Sequence, residues 1–247
     1  MPNEEELKNY MRPFIDGFFY EINFMEIISN DGKNTLSLKF YEYYKNVEEL
    51  AIVMELCNDN LLCFYSNKQK PFTPRKIYEI INLLNNSFII MSNNKLLHGS
   101  LKMENILIKF IDNEKTKYII KLKFSHNICL LNNSSYDLKL KIINKDLKYI
   151  APEILEGKKY DEKSDLWSLG IIIYILAFKE YPYKSENKYS ILKEIKNNGN
   201  LNLKKSNDLN LDDLINKLLV EDPEKRISWS EYFNHPFFDK PKLEESK

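Results

Sequence analysis

Apolar positions along the chain follow helical, strand and fully buried patterns in turn. Over residues 4–28, Leu7, Tyr10, Met11, Phe14, Ile15, Phe18, Ile22 and Met25 recur at the spacing of one helix face. Pro13 and Gly17 interrupt that face, so the helix is predicted to resume near Phe14. Asn30-Asp31-Gly32 is a turn signal. Residues 36–44 and 49–56 read as two strands, and the gap 45–48 is of hairpin length. Thr73 and Pro74 then open a helix as N-cap and first helical residue, with the apolar stripe Ile77, Ile80, Ile81, Leu84, Phe88, Met91. Short strands are predicted at 105–110 and 118–122 around a polar turn at 112–117, followed by a long loop at 127–148. Residues 164–178 are apolar on nearly every side below Asp165, as in a buried central helix. More helices are predicted near 187–197, 211–220 and 229–238, with a charged tail after residue 241. Strands and one helix first, helices afterwards, give an α+β expectation.

The 247 residues make one domain, or one domain with two lobes. A composition of 43% hydrophobic and 29% charged residues excludes a wholly disordered chain. Lys+Arg and Asp+Glu both number 36, so no global field draws in nucleic acid or an acidic membrane. The Lys-rich stretch 139–148 reads as solvated loop, and neither nucleic acid nor a membrane is expected as a partner. Cys57, Cys63 and Cys129 are too far apart for a CxxC pair, which suits free thiols in a reduced compartment. The N-terminal residues are acidic and lack a signal-like apolar run. The longest apolar run, 171–178, falls short of the ~20 residues a bilayer needs. The expected location is the cytoplasm, with the nucleus second.

Residues 98–108 read HGSLKMENILI, 151–153 read APE, and 165–170 read DLWSLG. Asp222-Pro223 with Arg226, then His235-Pro236-Phe237-Phe238, complete the series. Over roughly residues 14–240 this order and spacing resembles the eukaryotic protein kinase family. The resemblance implies a kinase-like fold with a helical C-lobe and a truncated N-lobe of one helix and about two strands. It divides the chain into a truncated N-lobe at 1–56, ending at the start of the hinge, a C-lobe at 57–240 and the tail at 241–247. It also implies structural roles. Glu153 pairs with Arg226, Asp165 accepts backbone N–H bonds from the His98 loop, and His98 and Leu107 pack beneath the nucleotide pocket. Trp167 reads as core.

Kinases catalyse phosphoryl transfer mainly by positioning and charge stabilisation. Compared with the family's parts, the chain lacks several. No two of its six glycines are close enough for GxGxxG. Glu21 resembles the helix glutamate, but its strand lysine is missing, Lys8 being the one candidate, in a helix-like segment. Ser100 stands at the catalytic-Asp position, and a serine hydroxyl is a poor base. Gly99 replaces the arginine that reads a phosphorylated loop, where Ser134, Ser135 and Tyr136 read as ordinary loop polars. In the preferred register Phe124-Ser125-His126 replaces Asp-Phe-Gly; slipping by one gives Lys123-Phe124-Ser125. Neither register holds a carboxylate for a hard divalent cation. Lys102 and Asn105 match the catalytic-loop lysine and the metal-binding asparagine, with structural roles open to both: Asn105 as a brace, Lys102 as a partner for Asp146. Met54, Glu55 and Cys57 match the hinge.

The resemblance therefore implies a pseudokinase, a scaffold or allosteric regulator acting on a protein partner such as an active kinase or another signalling protein. No cofactor is expected, and no metal ligand beyond Asn105. The alternative is a divergent, active serine/threonine kinase using ATP and Mg²⁺, with Glu104 or Asp146 as substitute carboxylates. An incomplete chain of a longer kinase-like protein would explain the missing glycine loop and lysine, but not Ser100 or the absent Asp near Phe124.

Overall fold

The computed structural model describes residues 38–45, 50–124, 129–130, 147–197 and 201–239, together with Phe19, Ile22 and Met25. Those three residues have helical backbone, and Ile22 and Met25 are buried, in keeping with the predicted apolar face. Strands β1 (Phe40–Lys45) and β2 (Leu50–Met54) form an antiparallel hairpin with an irregularity between Phe40 and Glu42. Two short elements follow that the residue pattern did not announce, β3 (Asp59–Asn60) and α1 (Leu61–Ser66). Asn60 caps α1 by accepting from the Cys63 N–H. Six residues are too few for apolar periodicity to show in the sequence.

Helix α2 (Pro74–Asn93) starts where the sequence places it. The Thr73 side chain accepts from the Lys76 N–H, Pro74 supplies no N–H that would go unpaired, and the expected stripe is buried. Next come β4 (Leu96–Leu97), a 3-10 turn at Met103–Asn105, β5 (Ile106–Phe110), β6 (Tyr118–Leu122) and β7 (Cys129–Leu130). β5 and β6 form a hairpin with register Ile106↔Leu122 to Phe110↔Tyr118, and β3 adds to its edge. β4 pairs with β7, which lies inside the stretch expected to be loop.

The C-terminal part holds α3 (Pro152–Leu155), α4 (Glu162–Phe178), α5 (Lys188–Asn197), α6 (Leu209–Leu218) and α7 (Trp229–Phe233). α4 is the axis of the core, and every residue from Ser164 to Leu176 is buried. It begins two residues earlier than the apolar run suggests, because Asp161 is its N-cap and accepts from the Lys163 N–H. A helix sunk this deep must satisfy its terminal carbonyls internally. The Tyr65 hydroxyl of α1 donates to the Ile175 and Leu176 carbonyls, at 2.9 and 3.2 Å. Lys179 closes the helix in the left-handed conformation, φ 61°, a seat glycine usually takes. α2 and α6 pack on α4. Gly170 allows the α6 approach: a Cβ there would lie 2.8 Å from Leu219 Cδ2 and 2.9 Å from Leu218 Cβ. Mixed strands and helices around one such axis give the expected α+β fold. Among the described residues no helix is long and apolar enough to cross a membrane.

Candidate active site

The segment from His98 to Asn105 is held from three sides. From below, the buried Asp165 carboxylate in the first turn of α4 accepts the His98 N–H at 2.7 Å and the Gly99 N–H at 3.1 Å, and the Tyr160 hydroxyl donates to it. Gly99 has φ 67°, so the turn presenting both N–H groups suits a residue without Cβ. Burial raises the Asp165 carboxyl to about 6, although the bonds from Tyr160, His98 and Gly99 pull the other way. From behind, His98 is fully buried, its ring 5.3 Å from that of Phe124, with Nε2 3.0 Å from the Lys123 carbonyl and Nδ1 accepting the Ser100 N–H. Desolvation lowers the His98 imidazole to about 4, so it is neutral at pH 7. From within, the Asn105 Nδ2 donates to the Ser100 carbonyl at 2.7 Å and to its Oγ at 3.3 Å.

Asn105 also accepts the Lys123 N–H on its main-chain carbonyl at 2.8 Å. Lys123 is therefore the residue of the β6 end that lies beside Asn105, and Phe124 is the aromatic packed against His98. This geometry corrects the register. The slipped alignment, Lys123-Phe124-Ser125, is the one the structure supports, and a lysine stands where the metal carboxylate would be. Ser125 and His126 lie outside the described residues, as do Glu21, Lys8, Asp146, Ser134, Ser135 and Tyr136.

Lys102 is half-buried at the head of the 3-10 turn. Glu104, next to Asn105 in sequence, turns toward Tyr149. Its Oε2 is buried without a hydrogen-bond partner, and its charge adds to the upward shift that burial and Tyr181 impose on the Tyr149 hydroxyl.

In the hinge segment Met54 packs against the core, and Cys57 is half-buried, its thiol pushed up by burial. Glu55 does more than lend backbone. Its carboxylate bridges Lys109 and Lys121, both at 2.5 Å, and accepts the Lys39 N–H at 3.3 Å. Burial alone would raise this carboxyl, but the two lysine hydrogen bonds and the Lys39 N–H overcome it and lower it to about 2. Sequence reasoning missed this clamp. Lys109 and Lys121 are neighbours only through the β5–β6 register, and Glu55 lies more than fifty residues before Lys109. Leu107 is half-buried, while Ile106 and Ile108 are fully buried. Strand alternation turns Leu107 to the face it shares with Lys109 and, across the register, Lys121.

At the far end of the C-terminal part the structure brings Glu153 and Arg226 together as a buried fork, with Nη1–Oε1 at 2.8 Å and Nη2–Oε2 at 2.9 Å. Ser164 Oγ adds a third bond to the carboxylate at 2.9 Å. The guanidinium also donates to the Lys163, Val220 and Glu221 carbonyls and lies over the fully buried Trp167 ring.

Magnesium sites need several oxygen ligands, commonly one or two carboxylates with phosphates and water. The cleft offers the Asn105 amide oxygen, the Ser100 hydroxyl and, beside them, a lysine. Among the described residues no group of three or more His, Cys, Asp or Glu could hold a metal. These donors do not fit the ion.

A family model for the protein kinase domain matches residues 4–238. In Acanthamoeba polyphaga mimivirus, a relative whose name places it with the serine/threonine-protein kinases is 31% identical over 245 residues, covering 91% of this chain and 53% of that protein. Calcium-dependent protein kinase 5 of Plasmodium falciparum (isolate 3D7) is 31% identical over 208 residues, covering 82% of this chain and 35% of that kinase. A serine/threonine-protein kinase of Arabidopsis thaliana, ATG1b, is 27% identical over 203 residues, covering 81% of this chain and 28% of its own length. The chain spans about half, or less, of the length of these curated relatives.

Proposed function

The chain belongs to the protein kinase family, and on that premise we propose that it is a pseudokinase, a kinase-like domain that works by shape on a protein partner rather than by transferring phosphate. One observation carries the reading. Among the described residues, where the fold brings the catalytic loop against the end of β6, the side chains are Ser100, Asn105 and Lys123, and none of these three is a carboxylate that could orient an acceptor hydroxyl or grip a divalent ion. A missing general base alone costs about 10²–10⁴-fold in rate. The metal-binding carboxylate is a further loss, and such groups act as a unit. The frame is meanwhile braced by Asp165, Asn105 and the Glu153–Arg226 fork. A rigid frame without its acids suits a scaffold or allosteric regulator of an active kinase or another signalling protein. Tyr41, Tyr43 and Tyr44, exposed along β1, support a partner-binding role. A cytoplasmic setting, with the nucleus second, accompanies this proposal, and the free thiols of Cys57 and Cys63 suit it.

A second reading, a divergent serine/threonine kinase, has one observation in its favour. Glu104 keeps a buried, unpartnered carboxylate oxygen within the catalytic loop. Transfer of labelled γ-phosphate from ATP, to the chain itself and to a generic protein substrate, separates the two. The pseudokinase reading expects none. Transfer that disappears in Lys102→Ala and Asn105→Ala would overturn it.

A further inference from the structure

Four aromatic rings gather where the turn end of the β5–β6 hairpin meets α1. Phe110 and Tyr118 are the pair that closes the strand register before the turn. From α1, Phe64 brings its ring to 6.3 Å from Phe110 and 5.4 Å from Tyr118. Phe72 adds a ring 6.3 Å from Phe64, its N–H held on the Leu176 carbonyl at 2.9 Å. All four are half-buried, so the cluster keeps apolar area at the surface. Lysines lie over it: Lys68 over Phe64 at 4.6 Å, Lys76 over Tyr118 at 4.9 Å and Lys115 over Phe110 at 5.7 Å. The charge around the rings is one-sided. Residues 61–78 hold four basic side chains and no acidic one, in a chain of net charge zero. In the turn, the Asp112 carboxylate is occupied by the Thr116 and Lys117 N–H groups, at 2.8 and 3.0 Å, which leaves Glu114 as the turn's other acid. Glu79 is shared between Arg75 and Lys76. Lys68 and Lys115 are exposed, and neither is ion-paired among the described residues.

We propose that this face docks an acidic segment of a partner protein, one in which carboxylates alternate with aromatic or aliphatic side chains. The rings give such side chains an apolar floor to cover. An exposed lysine holds a ring face only weakly, so Lys68 and Lys115 leave the rings for carboxylates, which form charge-assisted hydrogen bonds with them. An acidic bilayer shares the charge but not the fit. Insertion into lipid needs apolar side chains that reach past the cationic ones, and here the rings lie beneath the ammonium groups. The proposal deepens the non-catalytic, partner-binding reading and rests on it for the use of the surface, while the contact itself does not depend on phosphoryl transfer.

The test is fluorescence anisotropy of the full chain with a labelled peptide of about twelve residues alternating Glu with Phe and Leu. One control peptide replaces Glu by Lys, another replaces Phe and Leu by Ser. The acidic, apolar peptide is expected to bind at least about tenfold tighter than either control and to weaken with added salt. Lys68→Glu combined with Lys115→Glu should lower its affinity about ten- to hundredfold. Lys193→Glu, an exposed position on α5 outside this face, should leave it unchanged. Phe64→Ala should weaken binding as well. A thermal melt establishes that each variant is folded, and where Phe64→Ala is not, the lysine pair decides. Sedimentation with phosphatidylserine vesicles is the second arm, with no binding expected. Absence of peptide binding, equal binding of the controls, unchanged affinity in the folded lysine pair, an equal loss in Lys193→Glu, or binding to vesicles without binding to the peptide would overturn the proposal. Phosphoryl transfer is scored separately. Transfer with peptide binding sinks the pseudokinase reading and leaves the docking face, whereas absent binding with absent transfer sinks only the docking face.

Discussion

Arg226→Met tests how much of the fold hangs on one buried charge. The side chain is 0% exposed and its partner Glu153 is 3% exposed. All five N–H donors of a guanidinium find acceptors here: two on Glu153 and one each on Lys163, Val220 and Glu221. Methionine fills much of the volume against Trp167 but returns none of those bonds. Glu153 would be left charged and dry, with Ser164 Oγ as its remaining donor. Breaking a buried pair from one side costs about 3–5 kcal/mol, against a total stability on the order of 5–15 kcal/mol for a folded domain. For a chain of this size that lowers Tm by roughly 6–20 °C. Urea unfolding of the wild type, Arg226→Met, Glu153→Leu and the double variant measures it. The double variant should be more stable than the sum of the two singles implies, because neither charge is then stranded. A loss below about 1 kcal/mol for Arg226→Met, the figure for an exposed pair, or strictly additive losses in the cycle, would refute the reasoning.

Asp165 and His98 give opposite pH slopes. The Asp165 carboxyl sits at about 6 in the fold, above the usual Asp range, so the folded state binds the extra proton and stability falls as pH rises from about 4 to 6. His98 is lowered to about 4, so the unfolded state binds the extra proton and stability rises from about 4 to 6.5. Asp165→Asn should leave the His98 slope unopposed and steepen the rise of unfolding free energy with pH between 4 and 6; an unchanged slope would count against these assignments. Glu55, lowered to about 2, contributes stability present above pH 4.5 and lost toward pH 2. Glu55→Gln should flatten that acid limb, read by acid titration of circular dichroism. Gly170→Ala should destabilise by about 1–3 kcal/mol through overpacking against Leu218 and Leu219, outweighing the ~1 kcal/mol helix preference of alanine. A stabilised variant in chemical denaturation would show that α6 can yield.

Much of this molecule could be read from local pattern. The stripe from Ile77 to Met91, the cap at Thr73, the β5–β6 hairpin and the buried α4 all depend on neighbours a few residues apart, where period and capping chemistry act. The motif series placed His98, Glu153, Asp165 and Arg226 because each is tied to recognisable neighbours in sequence. Local reading failed at α1, β3 and β7, which are too short to show a period and are held by long-range partners such as Tyr65 on the α4 carbonyls.

The sequence by itself determined which chemical groups are present. Serine replaces an acid at position 100, and no carboxylate lies at residues 123–126. Only the tertiary structure decided where those groups stand. It chose the register that puts Lys123 beside Asn105, and it drew the Glu55 carboxylate onto lysines more than fifty residues away. The reason is physical. A chain's composition lists its charges, but in a dry or half-dry cleft their effect depends on distances of a few ångströms, and those are set by strand register and by what is buried on either side.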